Sequence, residues 1–183
     1  MKRTMIAVGL MILFLVVSVA AQAPASKAGP EQKKLYVWNG EWTYEGEVMA
    51  SPLGPAEKFT GKSNTKMILD GLVQETRYEE KHPSGLLHGI GITAYDPVNK
   101  NYVSNGYDSN GWMQMGTATV NGNVWDWSFT LVSGSKQYKM RAKDVLSADL
   151  MSDTYTIEIS TDGQTWTPAV VIHLTKVKAA QKK

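Results

Sequence analysis

The chain has 183 residues, of which 43% are hydrophobic and 20% charged, a balance that is typical of one folded domain and excludes a disordered chain. It contains no cysteine, so disulfides, thiol catalysis and zinc–thiolate sites are excluded. Removing Lys2 and Arg3 with the N-terminal segment leaves 17 basic residues against 17 acidic ones, and this neutral charge argues against a nucleic-acid partner. Six Trp, eight Tyr and sixteen Gly favour strands and tight turns.

The first segment has the pattern of a signal peptide. Lys2 and Arg3 precede an uncharged apolar run from Met5 to Val19, and small residues follow at Ser18-Val19-Ala20. We expect cleavage after Ala20 or Ala21, and hence an exported protein that is periplasmic or secreted and has no membrane partner after cleavage. An uncleaved anchor is the alternative, although the apolar run is short for a membrane span.

The remaining chain is divided by composition. Residues 1–20 are the expected signal peptide, 21–33 a flexible leader rich in small residues, 34–178 the folded domain, and 179–183 a basic tail. A short helix is predicted over Glu31 to Val37, with Pro30 at its start.

Alternating apolar and polar residues predict about ten strands separated by Gly, Asn, Asp and Pro turns. The first follows Gly40, where Trp42, Tyr44 and Gly46 share one face. The hairpin at Asn121-Gly122 carries the strongest turn signal. The other predicted strands cover residues 58–67 (the weakest pattern), 72–82, 86–95, 101–107, 112–120, 124–131, 136–146, 153–160 and 166–177.

Short connections mean that consecutive strands pair, and an antiparallel meander of this many strands closes on itself and so removes its edges. The predicted fold is therefore an all-β, antiparallel up-and-down barrel of about ten strands with a short N-terminal capping helix. A barrel of this size has room for one small ligand. A flat two-sheet sandwich is the alternative.

Several motifs carry a resemblance. The Gly40-x-Trp42 pair resembles the opening motif of lipocalins and related calycin barrels. The chain is similar to a bacterial secreted family called domain of unknown function number 1579. The motifs that carry this similarity are, in order, Gly40–Gly46, Asp70-Gly71-Leu72, Tyr95-Asp96-Pro97 followed by Tyr102, and Asp162-Gly163 followed by Trp166. The resemblance covers Leu35 to Lys176 and implies a ten-stranded calycin-like barrel without a settled activity.

The chain has three histidines. His82 and His88 adjoin predicted turns and are expected to be exposed, and their spacing suits no common metal site. His173 is more interesting, because haem-binding barrels related to nitrobindin carry a proximal histidine in a late strand. Since Val170, Ile172 and Leu174 share the opposite face of this strand, its parity counts against an iron ligand inside the barrel.

The carboxylates mostly alternate with apolar residues, which indicates a solvated face. They are Glu75, Glu79, Glu80, Asp126, Asp144 and Glu158. Glu75 and Arg77 are expected to form a surface contact of little energetic value. No nucleophile elbow or phosphate-binding loop is present, so we expect no enzymatic activity, no cofactor and no metal.

Inward-facing aromatics and isolated inward polar residues suggest an apolar cavity with a few polar anchors. The candidate ligand-binding residues are Trp42, Tyr44, Gln74, Thr76, Tyr78, Gln114, Trp125, Trp127 and Tyr138. The leading hypothesis is binding of a small, partly apolar molecule inside the barrel. The alternatives are a structural or interaction module of the cell envelope with a filled core, and a nitrobindin-like haem-binding barrel.

Overall fold

A computed structural model of the protein describes residues 27–178. Helix α1 spans Pro30–Lys34 and runs into a 3₁₀ turn at Leu35–Trp38, and a second 3₁₀ turn lies at Leu69–Gly71. The strands are β1 (Gly40–Val48), β2 (Glu57–Ile68), β3 (Val73–His82), β4 (Gly85–Asp96), β5 (Asn101–Asp108), β6 (Met113–Asn121), β7 (Val124–Ser133), β8 (Lys136–Leu146), β9 (Ser152–Ser160) and β10 (Thr167–Lys176). Within residues 27–178, no helix has the length and apolar character needed to cross a membrane.

The ten strands form one closed antiparallel barrel in which each strand pairs with its neighbours in sequence and β1 also pairs with β10. Tyr44 on β1, for example, lies opposite Gly61 on β2 and Leu174 on β10. Closure satisfies the backbone hydrogen bonds that an open sheet would leave at its edges. The predicted barrel is therefore confirmed, and the sandwich alternative is wrong.

The boundaries of the predicted helix and strands agree with the structure to within a few residues. The helix predicted over Glu31 to Val37 is present as α1 and the first 3₁₀ turn. Residues 30–33, assigned to the flexible leader, are helical. The signal peptide and the basic tail lie outside the described residues.

The first 3₁₀ turn closes one end of the barrel. Leu35 is only 1% exposed there, and it packs with Trp42, Tyr102 and Trp125 in one buried cluster. Its carbonyl oxygen accepts a hydrogen bond from the Gln74 side-chain amide at 2.7 Å, so a carbonyl of the turn that is buried from water is satisfied. This end is consequently filled with side chains.

The interior has a mostly apolar side, which also carries the buried Asp144 and Asp153, and a polar side. Strands β7 to β10 supply a buried apolar cluster that contains Phe129, Leu131, Met140 and Ile159. Strands β2 to β5 instead turn buried polar residues inward, among them Thr65, Gln74, Thr93 and Ser104. Because of this asymmetry, a cavity in the barrel has one apolar wall and one wall with hydrogen-bonding groups.

Candidate functional site

A cavity of about 680 Å³ occupies the barrel from its middle to the end opposite the 3₁₀ turn. The loop after β1 and the β3–β4 hairpin form its mouth. Residues that line the mouth include Leu53, Pro55, Leu86, Leu87, Tyr107 and Trp112. Leu86 and Tyr107 are about half exposed there, at 51% and 46%, so the rim presents apolar surface to solvent.

Glycines on the inward faces of the strands keep this volume open. Tyr78 on β3 lies over Gly89 on β4, so close that a Cβ on that glycine would overlap the ring. Tyr44 covers Gly61 in the same way. Each ring therefore lies along the wall instead of across the lumen. Gly91 faces open space, because its nearest neighbour, the Thr76 Cβ, would be 4.0 Å from an added Cβ.

The apolar wall of the cavity comes from the late strands. Its side chains are Leu131, Met140, Ile157, Val170, Ile172 and Leu174. They reach the cavity because the two-residue period of each strand places alternate side chains inside, as the apolar pattern of β10 predicts.

A hydrogen-bonded chain of four side chains crosses the mouth on β1, β2 and β3. The His82 ring lies between two carboxylates, with Nδ1 2.7 Å from Glu57 Oε1 and Nε2 3.0 Å from Glu80 Oε2. The Tyr44 hydroxyl donates to the other oxygen of Glu80 at 3.0 Å. The His82 ring also stacks on Phe59, with 4.6 Å between centroids.

These contacts correct two predictions. His82 was expected to be an exposed turn histidine, but its side chain is only 13% exposed, because β3 continues to the turn and directs it inward. Burial lowers the pKa of His82, but hydrogen bonds to Glu80 and Glu57 outweigh burial and raise it overall. Glu80 was assigned to the solvated face, and it lines the cavity instead.

A pair of carboxyls forms the floor of the cavity. Asp144 on β8 lines the cavity and is 7% exposed, so its assignment to the solvated face was wrong. It accepts a hydrogen bond of 2.5 Å from the Trp127 indole N–H. Burial, and next the charge of Asp153, raise the pKa of the Asp144 carboxyl well above its usual range. Burial likewise raises the pKa of Asp153, so this part of the cavity disfavours the ionised form of both carboxyls.

Two hydroxyl pairs satisfy other inward polar groups. The Thr65 and Thr76 hydroxyls lie 2.9 Å apart, and Thr93 donates to Ser104 at 3.0 Å. Of these four residues only Thr76 lines the cavity, so the polar side presents a ligand with one hydroxyl that is already paired.

The predicted ligand-binding residues fall into two groups. Four of them line the cavity: Tyr44, Thr76, Tyr78 and Gln114. The other five lie outside the lining: Trp42 and Trp125 pack at the closed end, Gln74 bonds to the 3₁₀ turn, and Trp127 and Tyr138 lie in the apolar packing around the cavity. Ligand contact by the four stays a prediction.

The remaining predicted features lie on the outer surface. His88 is exposed, at 56% for its side chain. His173 is also exposed and points outward, with Nδ1 3.4 Å from the Thr154 hydroxyl. It therefore cannot ligate an iron inside the cavity. Glu75 and Arg77 form the expected surface pair at 3.1 Å. Among residues 27–178 no cluster of three or more potential ligands could hold a metal ion.

Four residues that line the cavity were not predicted as site residues from the sequence: Glu80, His82, Asp144 and Tyr155, which lies opposite Asp144 on β9. The signal was present: Glu80 and His82 continue the inward parity of Gln74, Thr76 and Tyr78. Asp144 continues the inward parity of Tyr138, Met140 and Ala142. In both strands the two-residue period places these charged side chains inside the barrel.

The fold and its internal cavity define a calycin-like barrel. The model of the family described as "Protein of unknown function (DUF1579)" matches residues 27–176, and the chain belongs to this family. No curated protein matches the chain.

Two solved structures share the fold. Rv2717c from M. tuberculosis aligns with a TM-score of 0.62 at 11% identity, over 84% of this chain and all of its own. The S-type phycobiliprotein lyase CPES from Guillardia theta aligns with a TM-score of 0.55 at 8% identity, over 82% of this chain and 94% of its own. At these identities the likeness concerns the fold alone.

Proposed function

We propose that this barrel binds one small, partly apolar molecule in its interior and does not transform it chemically. The cavity of about 680 Å³ carries this proposal. Ligand sites of roughly 300–1,000 Å³, mostly apolar with a few placed polar groups, are typical of small-molecule binding. A structural module with a filled core would have no need of this volume.

The competing hypotheses receive less support. Haem binding through His173 is disfavoured, because that side chain lies on the outer face. The interior histidine, His82, already contacts two carboxylates. A Soret band that appears with added haem and disappears in His173→Ala would revive the hypothesis. One structural neighbour is named a lyase, so product formation from the bound molecule is the outcome that would replace binding with catalysis.

The test is a titration of the purified protein with aminoanthracene, a neutral apolar dye whose emission rises in an apolar site. Ile172 lines the cavity, whereas its neighbour Val171 lies outside the lining on the outer face of β10. We expect wild type and Val171→Trp to bind one dye per chain. Ile172→Trp should bind at least about tenfold more weakly, because the larger side chain fills the site. Equal binding by both variants would contradict an interior site.

We also propose that the barrel acts after export, in the periplasm or outside the cell. The charged start, apolar run and small residues of the first 20 positions support this proposal. N-terminal sequencing of the protein from the periplasm and the medium is the test. A mature chain that begins at Ala21 or Gln22 is the expected result, and an intact Met1 on a membrane-bound protein would contradict it.

A further inference from the structure

The cavity has a one-sided charge. Four of its lining residues carry carboxyls: Glu57, Glu80, Asp108 and Asp144. None of its described lining residues is a lysine or arginine. The one basic group in the lining is His82, which is already held between Glu57 and Glu80. A ligand in the cavity therefore meets a negative potential.

The carboxyls at the cavity floor have the fewest compensating partners. Asp153 is 3% exposed and lies beneath Asp144 on the inward face of β9. The backbone amides of Val145 and Thr154 and the Asp144 carboxyl are its polar neighbours. Neither oxygen of Asp153 forms a well-aligned hydrogen bond with them. A buried carboxylate in this condition is costly, since buried charges are normally paired.

No basic side chain of the described chain offsets the pair. None of the ion pairs among residues 27–178 includes Asp144 or Asp153. The inward lysine of β10, Lys176, instead donates to the Val37 carbonyl at 2.9 Å, and its ammonium lies 5.2 Å from the Trp42 ring centroid. It therefore belongs to the closed end of the barrel. A positive charge on the ligand would therefore supply the partner that the acidic floor lacks.

We propose that the ligand is an amphipathic amine: an apolar body that ends in one protonated nitrogen, with the nitrogen beside Asp144 at the cavity floor. The apolar body then lies along Met140, Ile157 and Ile172, which line the wall above the floor. This inference rests on the proposed binding function, and adds the class of ligand and its orientation.

Cationic, neutral and anionic head groups differ in how strongly they interact with the acidic floor. A protonated amine at the floor forms a charge-assisted hydrogen bond with Asp144, and such bonds are about twice as strong as neutral ones. A neutral alcohol forms a weaker bond in the same place. A carboxylate head group would meet like charges in a low-dielectric site, which disfavours fatty acids.

The experiment is displacement of bound aminoanthracene by decylamine, decanol and decanoate, which share one apolar chain and differ in the head group. We expect decylamine to displace the dye at a concentration at least about tenfold lower than decanol, as hydrogen bonds to charged groups imply. Decanoate should be the weakest competitor. The measurement is made at neutral pH, with each competitor below its aggregation concentration.

Two variants locate the amine. Asp144→Asn replaces the carboxyl that contacts the amine with a neutral amide of almost the same size. It should reduce the preference for decylamine over decanol to less than about threefold while decanol itself binds as before. Asp126→Asn is the matched control: Asp126 is exposed on the outer face of β7, where it pairs with Lys143 at 3.3 Å. This variant should keep the full preference. If Asp144→Asn does not fold, Asp153→Asn removes the other carboxyl of the pair and should weaken the preference in the same direction.

The outcomes separate this inference from the proposed function. If all three competitors displace the dye equally, the barrel binds apolar molecules and the amine inference is wrong. If the dye does not bind at all, the proposed function fails first. If the preference survives Asp144→Asn and Asp153→Asn but is lost in Glu80→Gln, the amine lies at the mouth and the proposed orientation is overturned.

Discussion

The glycines beneath the inward rings provide the sharpest test of how the cavity is kept open. Gly89 and Gly91 both face inward on β4, two residues apart, and neither has a positive φ. An added Cβ at Gly89 would lie closer than 3.0 Å to the Tyr78 ring, whereas at Gly91 the nearest atom would be 4.0 Å away. Alanine at the two sites therefore differs in one respect, the overlap with Tyr78.

This difference sets the expected magnitudes. Replacing glycine with alanine in a strand stabilises the protein by about 0.4–1 kcal/mol, because the unfolded chain loses freedom, and this gain is common to both variants. Overpacking costs about 1–3 kcal/mol and applies to Gly89→Ala alone. We expect Gly91→Ala to be neutral or slightly stabilising, and Gly89→Ala to be less stable than Gly91→Ala by about 1–3 kcal/mol.

The assay is urea unfolding followed by tryptophan fluorescence. With an m-value of about 2 kcal/mol/M for a domain of this size, the unfolding midpoints of the two variants should differ by roughly 0.5–1.5 M. Gly89→Ala should also bind aminoanthracene more weakly, since the displaced Tyr78 ring moves into the cavity. Equal unfolding midpoints for the two variants would show that the Tyr78 ring does not require a glycine at position 89.

Three further predictions concern the polar groups of the site. Asp144→Asn should raise the unfolding temperature at pH 7, because burial raises the folded pKa of Asp144 above its unfolded value and so penalises the ionised form. The gain in unfolding temperature should shrink as the pH falls towards about 4. A gain that is independent of pH would contradict this origin. Trp127→Phe should lower the free energy of unfolding by about 1–3 kcal/mol, since it removes the donor to Asp144. Urea unfolding of Asp144→Leu, Trp127→Phe and the double variant measures the coupling, because leucine cannot accept the indole hydrogen bond, and additive effects would refute it. His82→Gln should flatten the loss of stability between pH 6 and pH 9: the folded pKa of His82 is raised, so its contribution is full below about 6.5 and is lost as the pH rises through the folded value. Urea midpoints at the two pH values measure this loss, and an unchanged slope in the variant would count against the network at the mouth.

The architecture could be predicted from the sequence because the turns and the two-residue period agree along most of the chain. The weakest strand pattern was that of β2, where small inward residues such as Gly61 and Ser63 face the interior and lysines such as Lys62 face solvent. That strand nevertheless pairs along its length with β1 and β3. Pairing on both sides supplied what the local hydrophobic pattern lacked.

The site was harder to predict because inward-facing residues of the same strand pattern either fill the closed end or line the cavity. Trp42 and Trp125 point inward, as expected, but they fill the closed end with Leu35, which belongs to a segment outside the strands. Tyr44 and Tyr78, of the same pattern, lie against the cavity. Which end is filled depends on where the N-terminal turn docks, and strand periodicity carries no information about that contact.

The buried acids show a second limit. Alternation places Asp144 inside, yet charge is usually a sign of the solvated face, because an unpaired buried carboxylate is costly. Trp127 lies opposite Ala142 in the folded register, and this places its indole N–H within reach of Asp144, two positions further along β8. Such a pairing depends on the register of two strands and is not visible in either strand alone.

We propose that the ligand lies inside the barrel and not on its outer wall. Methionine methyl NMR tests it directly, because Met140 lines the cavity and is 4% exposed, whereas Met113 and Met115 are exposed on the outside at 39% and 46%. On titration with aminoanthracene, we predict saturable shifts of the Met140 methyl signal and none of the Met113 and Met115 signals. Shifts confined to Met113 and Met115 would place the dye on the outer surface and contradict the account.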